Sequence, residues 1–419
     1  MFTTTHVIVC AVWFSLLTAG APFARGQTKL PRLHARGTDL VDSSGKVVVL
    51  RGFNLGGAFV MEVWLTALDL NPGSSGLPPI RDDKSLWDVL TTRFGSEKSV
   101  ELQRTWRVAW ANPQDIKRLA DAGANVVRIP FWYQNVEDDR HPGKLLPEGM
   151  KLLDDLVDEC AANRVYAILD LHGAPGGQSD KDHTGEINRN ELFRSPQLQS
   201  RTAALWVALA MHYRDRAELA GYDLLNEPMG APDAAAIVAL HDKLYKAIRR
   251  VDARHTIIME DGYKGDAAFP LPGKRGWSNV CYSRHIYRFD ATSIADQRKT
   301  ITNDLPKLRK HQLACNVPIY IGEFSTITEK QGGITGLSEY FAAFNKYGWS
   351  WTPWTYKHID ANGGLHTVWG LESNREKWDR ANPYTDSYAT LLSKFAKYDT
   401  SNLEARRDYL EAFTAATKK

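Results

Sequence analysis

The feature that most constrains the fold is a repeating alternation of short apolar runs with longer amphipathic segments. The eight apolar runs cover residues 47–54, 125–130, 165–171, 222–226, 256–260, 280–287, 318–323 and 348–354. Segments with helical periodicity separate or follow them at residues 150–163, 196–218, 233–251, 300–312, 337–347 and 386–397. Eight strands alternating with helices predict an α/β fold, the (β/α)8 TIM barrel, in which a parallel sheet closes on itself.

An open, doubly wound sheet is the structural alternative to a closed barrel. Such sheets often carry a GxGxxG turn after a strand, and no predicted strand here is followed by one. In a closed barrel the active groups lie on loops at the carboxyl ends of the strands. The polar residues at those ends are therefore the candidates for function.

Further elements flank the barrel pattern at both ends of the chain. Residues 38–54 predict an N-terminal β-hairpin that turns at residues 42–45 and leads into the first strand. The remaining helical stretches cover residues 84–94, 113–122 and 402–419. Polar segments between these elements predict extended rim loops, and no Ser/Thr/Pro-rich linker is present. We expect a single catalytic domain over residues 27–419.

Residues 1–26 have the pattern of a secretory signal peptide. They are apolar from Val7 to about Leu17, which is shorter than a membrane span, and then become small and polar. Cleavage could follow Ala19-Gly20-Ala21 or precede Gln27, although the segment before Val7 lacks Lys and Arg. An uncleaved anchor is the alternative. We expect a secreted protein, extracellular or periplasmic in a Gram-negative bacterium, without stable membrane insertion after cleavage.

The composition is that of an ordinary globular protein, with 43% hydrophobic and 24% charged residues. The net charge is only +3 and no basic block is visible, so nucleic acid is not expected as a partner. Beyond the leader, which contains Cys10, the cysteines are Cys160, Cys281 and Cys315. Cys281 and Cys315 could pair if their strands are neighbours, or all three could be buried free thiols. We expect a monomer.

Two glutamates each end an apolar run. Glu227 follows YDLLN and precedes Pro228, which cannot extend a strand, and Glu323 follows IYIG. They belong to the fourth and seventh runs, which face each other across the mouth of an eight-stranded barrel. Either alone could be a helix cap or a rim ion pair. Together they fit glycoside hydrolysis, which needs two carboxyl groups ~5–5.5 Å apart for retention or ~6.5–9.5 Å for inversion.

Other strand ends carry groups that could tune these glutamates. Arg128 and Tyr287 could keep Glu323 ionised, as a nucleophile must be, although Arg128 could also form a purely structural salt bridge. Burial and a nearby negative charge would keep a proton on Glu227. Glu260 is another strand-end acid, but with Asp261 beside it we interpret both as rim residues.

Two histidines and a tryptophan complete the predicted rim. His172 and His285 could be core histidines with satisfied hydrogen bonds. As a pair on this rim they fit contacts to sugar hydroxyl groups better than a metal site, since no HxH or HExxH spacing is present. Trp354 could be a core residue or a flat platform for a sugar ring.

Seven motifs in order resemble glycoside hydrolase family 5, over about residues 38–382. They are RGFNLGG (51–57), VVRIPFWY (126–133), LDLHGAPGGQ (169–178), LLNEP (224–228), HIY (285–287), IGEF (321–324) and WTPWTYK (351–357). The resemblance implies Glu227 as the acid/base and Glu323 as the nucleophile of a retaining mechanism. It implies that Asn226 binds the 2-hydroxyl group of the sugar in the −1 subsite. The residues implied to hold Glu323, line that subsite or stack on the sugar are Arg128, Tyr287, His172, His285 and Trp354.

Two stretches are similar to the exo-β-1,3-glucanase branch of that family. NLGGAFVMEVWLT places Glu62 where the branch has a carboxylate that helps to bind the terminal sugar, and DLHGAPGGQ is close to the branch's third-strand motif. Ala58 stands where an aromatic residue is usual, and the WTPWTYK ending also departs from the branch. These departures leave exo action and the 1,3-linkage open.

The expected function is that of a secreted, retaining β-glycosidase that hydrolyses glucans with no metal or organic cofactor. A β-1,4-glucanase, a β-mannanase or a glycolipid glucosidase of the same family are alternatives, and transglycosylation is also possible for a covalent intermediate. A non-catalytic glycan-binding barrel and a metal-dependent barrel hydrolase belong to other classes. Rim loops decide linkage and sugar preference, and their specificity cannot be derived from these motifs.

Overall fold

The computed structural model describes residues 29–418, so the predicted signal peptide and Cys10 lie outside the described residues. The chain begins with a short antiparallel hairpin of β1 (His34–Arg36) and β2 (Asp39–Val41). A second turn follows, in which the Gly45 N–H donates to the Asp42 carbonyl oxygen at 2.9 Å. The predicted turn at residues 42–45 is therefore present, and the hairpin starts a few residues earlier than predicted.

Eight parallel strands form the centre of the molecule, and each is hydrogen-bonded to the next along the chain. They are β3 (Gly52–Asn54), β4 (Val126–Trp132), β5 (Tyr166–Gly173), β6 (Leu219–Asp223), β7 (Thr256–Glu260), β8 (Val280–Ile286), β9 (Ile319–Phe324) and β10 (Ser350–Trp351). A parallel bridge between Arg51 and Trp351 joins the first barrel strand to the last. The prediction of a (β/α)8 barrel with an N-terminal hairpin is confirmed.

Helices surround the barrel and connect consecutive strands. Their bounds are α1 (Asp83–Phe94), α2 (Ser96–Trp110), α3 (Pro113–Asp121), α4 (Pro147–Ala162), α5 (Pro196–Tyr213), α6 (Ala234–Arg249), α7 (Pro272–Arg275), α8 (Ile294–Lys299), α9 (Leu305–Cys315), α10 (Gly333–Tyr347), α11 (Tyr388–Ala396) and α12 (Arg407–Thr417). Several begin at an N-cap that the sequence specifies. Asp233, for example, accepts a hydrogen bond from the Ala236 N–H and so satisfies one free donor of the first turn of α6.

Some element bounds differ from the sequence prediction. The fourth barrel strand ends at Asp223 and not at Asn226, although the Asn226 N–H still donates to the Leu171 carbonyl oxygen at 3.1 Å. The chain therefore leaves the regular ladder early but stays in the barrel wall. Helix α2 was not predicted, and neither was the small sheet of β11 (Glu372–Ser373) and β12 (Glu404–Ala405).

The C-terminal helix α12 lies within the predicted helical stretch 402–419 and packs against the first barrel strand. The Phe413 ring of α12 lies 4.7 Å from the Phe53 ring of β3, centroid to centroid. The three cysteines among the described residues are buried and free, so the predicted alternative of a Cys281–Cys315 pair is not formed. Within residues 29–418, the helices are too short or too polar to cross a bilayer.

Two long connections form much of the rim above the barrel. Residues 174–195 join β5 to α5, and residues 352–387 join β10 to α11 with β11 inside them. Both lie at the carboxyl ends of the strands, where the prediction places function. Their side chains complete a cavity over the barrel axis.

Candidate active site

A cavity of about 760 Å³ opens at the carboxyl ends of the barrel strands. This is the face on which barrel enzymes place their reacting groups. The lining side chains are acidic, imidazole or aromatic for the most part, and they include Glu62, Trp64, His172, Lys181, Asp182, His183, Asn226, Glu227, Met229, Tyr263, Tyr287, Phe289, Asp290, Glu323, Trp354 and Trp369.

Glu227 and Glu323 lie next to each other in this cavity. Glu323 is the penultimate residue of β9, and Glu227 follows the last residue of β6 by four positions. One carboxylate oxygen of each, together with one ring nitrogen of His285, forms a set whose atoms all lie within 4.8 Å of one another. The sequence prediction that these two strand-end carboxylates face each other is met by this geometry.

The backbone at Glu227 has an unusual conformation. Its φ angle is 40°, in the left-handed region that residues with a Cβ atom rarely adopt. Its N–H donates to Oε2 of Glu260 at 2.7 Å, and Pro228 follows directly. Left-handed backbone outside glycine often marks functional positions, because surrounding contacts must hold it there.

Arg128 lies fully buried below the two glutamates. Its guanidinium donates to Glu323 Oε1 at 2.8 Å from Nη1, to Asp223 Oδ2 at 2.9 Å from Nε, and to Glu260 Oε1 at 3.0 Å from Nη2. Asp170 Oδ1 lies 3.1 Å from Nη2. Burial alone would lower the pKa of Arg128, but these four carboxylates raise it well above its usual value. The guanidinium is therefore a fixed cation that orients Glu323.

Tyr287 holds the second oxygen of Glu323. Its hydroxyl group donates to Oε2 at 2.9 Å, opposite the oxygen that Arg128 binds. Burial and the Glu323 charge raise the pKa of Tyr287 well above its usual value, so the phenol keeps its proton and acts as a donor. Both oxygens of Glu323 are thus oriented by the two residues that the sequence associated with it.

Two donors converge on one oxygen of Glu227. The Tyr263 hydroxyl group donates to Oε1 at 2.7 Å, and His285 Nδ1 lies 2.9 Å from the same atom. Oε2 accepts no hydrogen bond from the residues that the structure describes, and His183 Nδ1 lies 3.7 Å from it. One carboxylate oxygen is therefore saturated by hydrogen bonds, whereas the other remains accessible to a bound molecule.

The charge state of Glu227 differs from the sequence expectation. Burial raises its pKa, but the hydrogen bond from His285, the charges of His183 and His285, and the Tyr263 hydroxyl group lower it to about 2. Burial lowers the pKa of His285, while Glu260 and Glu323 raise it well above its usual value. In the free site the pair is an imidazolium and a carboxylate, because the cation at 2.9 Å outweighs burial.

His172 is neutral and fixes the orientation of Asn226. Burial lowers the pKa of His172 well below its usual value. Its Nδ1 lies 2.6 Å from Asp170 Oδ2, so the proton is on Nδ1 and Nε2 accepts from the Asn226 amide at 3.4 Å. Asn226 Oδ1 accepts from Arg128 Nη2 at 2.9 Å, which leaves one amide N–H of Asn226 for a ligand.

Trp354 forms one wall of the cavity. Its indole stacks on the His172 ring, with centroids 5.2 Å apart and planes 9° from parallel. Residue 56 must be glycine beneath it, because a Cβ atom there would lie 2.7 Å from the indole. The first glycine of the GG pair in the RGFNLGG motif thus allows the first barrel loop to pass close under this ring, while the second, Gly57, lies against the Trp110 indole.

Glu62 lies at another side of the same cavity, on the loop after β3. Its Oε2 accepts from the Trp64 indole N–H at 2.8 Å. Burial and the charge of Asp182 raise its pKa well above its usual value. Trp64 in turn contacts Trp369 edge to face at 4.8 Å. The carboxyl group is therefore a hydrogen-bonding group set in an aromatic wall.

All of the sequence-predicted site residues gather around this cavity or directly beneath it, whereas several others were missed. Glu260 was interpreted as a rim residue, but it lies buried among Arg128, His285 and the Glu227 backbone. The unpredicted residues that line the cavity from loops include Trp64, Asp182, His183, Tyr263, Phe289 and Trp369. Only the position of Glu260 at a strand end could have identified it, since the others lie in loops without periodicity.

Two sets of side chains have spacing that could suit a metal ion, among the residues that the structure describes. One set, Asp170, Asp223 and Glu260, surrounds the Arg128 guanidinium, which already lies within 3.1 Å of all three. The other set is Glu227, His285 and Glu323. The carboxylate oxygens of its two glutamates already accept hydrogen bonds from Arg128, Tyr287, Tyr263 and His285. A cation would have to displace those donors, so neither set is assigned as a metal centre.

Comparisons with known proteins agree with this geometry. The family model "Cellulase (glycosyl hydrolase family 5)" matches residues 91–360. A β-xylosidase of Phanerodontia chrysosporium is 31% identical over 86% of this chain and 76% of its own length. A probable glucan 1,3-beta-glucosidase A of Aspergillus niger is 27% identical over 78% and 74%, respectively. The crystal structure of rutinosidase from Aspergillus niger, 16% identical, shares the fold with a TM-score of 0.59 over 74% of this chain and 90% of that one. The chain belongs to glycosyl hydrolase family 5 and is an O-glycosyl hydrolase.

Proposed function

We propose that this protein is a retaining β-glycosidase that hydrolyses β-glucosidic bonds of glucans by double displacement. The observation that carries the proposal is the pair Glu227 and Glu323, in which one carboxylate oxygen of each lies within 4.8 Å of one oxygen of the other. So close an approach supports the ~5–5.5 Å separation of carboxyl groups in retaining enzymes over the ~6.5–9.5 Å that inversion needs to admit a water molecule.

Glu323 is the proposed nucleophile. Arg128 and Tyr287 each hold one of its oxygens, at 2.8 and 2.9 Å, so the carboxylate is fixed beside a permanent cation. Its attack on the anomeric carbon forms a C–O ester bond while the glycosidic C–O bond breaks. The Arg128 charge that stabilises the carboxylate also makes it a good leaving group in the second step.

Glu227 is the proposed acid/base. Because Tyr263 and His285 occupy Oε1, the leaving oxygen of the substrate meets Oε2. The proton it needs is already present on the His285–Glu227 pair. A bound sugar excludes water from the cavity, and the lower dielectric favours the neutral pair over the ion pair. In the neutral pair the imidazole keeps the hydrogen on Nδ1 and still donates to Oε1, and the other proton of the imidazolium is carried on Oε2 of Glu227, where it faces the leaving oxygen. Water then gives this proton back as it attacks the ester, and the sugar leaves with its configuration retained.

Binding of the sugar next to the cleaved bond is assigned to groups around this pair. The free N–H of Asn226 is available for a 2-hydroxyl group, and Glu62 for hydroxyl groups at the far side of the ring. Trp354 offers an apolar face to the sugar's C–H groups. These roles agree with those that the family resemblance implies.

The glucan 1,3-beta-glucosidases among the relatives and the carboxylate at Glu62 support an exo-acting β-glucan hydrolase. The relative described as a β-xylosidase is 31% identical, which supports β-xyloside hydrolysis as a second candidate. The signal-like pattern of residues 1–26 supports secretion, and an N-terminal sequence of the exported chain would test it.

The mechanism can be tested by the stereochemistry of the product and by trapping. Proton NMR of the sugar first released from a β-glycoside should show the β-anomer, and a 2-deoxy-2-fluoro-β-glycoside with a good leaving group should label Glu323. An α-anomer as first product would contradict the proposal.

Variants separate the two glutamates. Glu323→Ala should lose hydrolysis of every substrate, whereas Glu227→Ala should still release a dinitrophenol, which needs no proton to leave. Glu191→Ala, an exposed glutamate of the same rim outside the cavity, is the matched control and should retain parent activity. Equal rates for all three variants would refute the assignment.

A substrate panel decides between the two candidate substrates. We would compare kcat/KM for 4-nitrophenyl β-glucoside and 4-nitrophenyl β-xyloside, and analyse products from laminarin, mixed-linkage glucan and cellulose oligomers. Release of glucose alone from laminarin supports the exo-glucanase, while a higher kcat/KM for the xyloside supports the second candidate.

A further inference from the structure

Glu260 makes contacts that link three parts of the active site. It is the last residue of β7, and its carboxylate is buried. Oε2 accepts the N–H of Glu227 at 2.7 Å, while Oε1 accepts from Arg128 Nη2 at 3.0 Å and lies 3.2 Å from His285 Nε2. A rim carboxylate would contact solvent, whereas this one contacts groups that surround the two proposed catalytic glutamates.

The contact to the Glu227 backbone has a geometric consequence. Glu227 has a φ of 40°, and a residue with a Cβ atom needs compensating contacts to remain there. The short hydrogen bond from its N–H to a carboxylate is one such contact, and it is stronger than a bond to a neutral acceptor. Without it, the backbone can relax and move Oε2 of Glu227 away from the cavity.

The contact to His285 has an electrostatic consequence. The imidazole lies between Glu260 on its Nε2 side and Glu227 on its Nδ1 side, at 3.2 and 2.9 Å. Glu323 Oε2 lies 3.5 Å from Nδ1. Among these, Glu260 is the carboxylate with the largest part in raising the pKa of His285. It therefore helps to keep a proton on the pair that serves Glu227.

Other charged and titratable groups lie around Glu260, His285 and Glu227 and contribute to the electrostatics of this cluster. Arg128 from β4, Asp170 from β5 and Asp223 from β6 all lie close to Glu260, and the three carboxylates have oxygens within 4.8 Å of one another. Tyr263 and His183 face Glu227 from loops. The Arg128 guanidinium offsets the negative charges of Asp170, Asp223 and Glu260. Of these three acids, Glu260 is the one that also contacts both His285 and the Glu227 backbone.

We propose that Glu260 is a positioning residue for catalysis, which holds Glu227 in its left-handed conformation and holds the His285 imidazolium against Glu227. The proposal rests on the proposed function, because it assigns Glu227 the acid/base role. Glu260 is not among the side chains that line the cavity, so it acts through its neighbours. It also accepts from Arg128, but its contacts to Glu227 and His285 are the ones that reach the acid/base.

The test is the isosteric variant Glu260→Gln, with Asp261→Asn as its matched control. Gln keeps the shape and one acceptor oxygen but loses the charge. Asp261 is the adjacent acid. Its Oδ2 lies 3.3 Å from Arg284 Nε and accepts from the Gly265 N–H at 3.0 Å, so Asn keeps the acceptor of that turn while the charge is removed. Circular dichroism and thermal unfolding would show that both variants are folded before kinetics are compared.

Leaving-group dependence is the first readout. For E260Q, kcat/KM on an alkyl β-glucoside should fall roughly 10- to 100-fold, the effect of losing one hydrogen bond to a charged group. On the 2,4-dinitrophenyl glycoside, which needs little protonation, it should fall less than about threefold. D261N should behave like the parent. Equal losses on both substrates, or none, would overturn the proposal.

The pH profile is the second readout. Because an anion beside His285 favours its proton, E260Q should move the basic limb of kcat/KM to lower pH, and a purely structural residue would leave that limb in place. An activity-independent readout comes from the 15N NMR titration of His285, assigned with His285→Asn. A lower pKa for His285 in E260Q supports the proposal and an unchanged pKa overturns it. Inversion or lack of turnover by the parent would refute the proposed function instead, and the titration would still decide the role of Glu260.

Discussion

Replacement of Arg128 by methionine removes the guanidinium that lies within 3.1 Å of four buried carboxylates. Two of its hydrogen bonds reach groups of the proposed reaction, Glu323 at 2.8 Å and Asn226 at 2.9 Å. A hydrogen bond to a charged group contributes about 1.5–3 kcal/mol, so their joint loss is about 3–6 kcal/mol. Because both hydrogen bonds are expected to stabilise the transition state, their loss should lower kcat/KM about 10²- to 10⁴-fold.

The same substitution should change stability in a pH-dependent way. Burial and Glu260 already raise the pKa of Asp223 to about 7 although Arg128 lowers it, and loss of Arg128 raises it further. A carboxyl group with a raised folded pKa contributes its stability below its unfolded pKa of ~4, and this is lost as the pH rises through the folded value. The variant should therefore be close to the parent at pH 5 and less stable at pH 8. Removing one partner of a buried ion pair lowers the free energy of unfolding by about 3–5 kcal/mol. For a chain of this length, that loss lowers Tm by about 5 °C.

The assays are differential scanning fluorimetry at pH 5 and pH 8 and kcat/KM on an aryl β-glycoside. Arg201→Met is the matched control, because Arg201 Nε donates to the buried Glu137 at 2.6 Å away from the cavity. It should lose stability while the folded fraction retains parent kcat/KM. The reasoning is refuted if R128M keeps activity within about tenfold of the parent, or if its Tm deficit is the same at both pH values.

Three further predictions follow from single contacts. Tyr263→Phe removes the 2.7 Å hydrogen bond to Glu227, so kcat/KM on alkyl glycosides should fall about tenfold while that on dinitrophenyl glycosides changes little; an equal loss on both would contradict this. Because burial and Asp182 raise the pKa of Glu62 well above its usual value, Glu62→Gln should keep KM within about threefold whereas Glu62→Ala should raise it about tenfold, as measured by initial rates. Cys160, Cys281 and Cys315 are free and buried, so a thiol reagent should react with them only after unfolding, and a reductant should not lower Tm.

The fold was predictable because the same pattern of apolar strand, polar turn and amphipathic helix repeats along the chain. Each barrel strand is a short buried run between polar turns, and eight such runs can pair in order only as a parallel barrel or an open sheet. The same repetition predicted the site, since a strand's last residue must face the barrel mouth. His285 and Glu323 are the penultimate residues of their strands, whereas Arg128 lies further from the mouth, four residues before the end of β4.

The loop-borne part of the site was not predictable by that reasoning. His183, Tyr263 and Trp369 lie in loops or short turns that have no apolar periodicity, so nothing in the local sequence indicates where they point. Their positions depend on long-range contacts, such as that of the Trp369 ring with Trp64, from loops about 300 residues apart in the chain. The sequence predicts that extended rim loops exist, but not which side chains reach the cavity.

The charge of Glu227 shows why composition and burial alone could not determine the chemistry of the site. Burial raises the pKa of a carboxyl group, and a cation at hydrogen-bond distance lowers it. The direction of the net shift therefore depends on whether a charged donor lies near 3 Å from the carboxylate or several ångströms further away. The 2.9 Å contact from His285 exists because the left-handed backbone at Glu227 turns Oε1 towards β8, and Glu260 holds both partners in that position. The sequence contains all three residues at strand ends, but their mutual distances follow from the register and curvature of the closed barrel. The acid that was interpreted as a rim residue is therefore the one that connects the backbone geometry of Glu227 with its protonation.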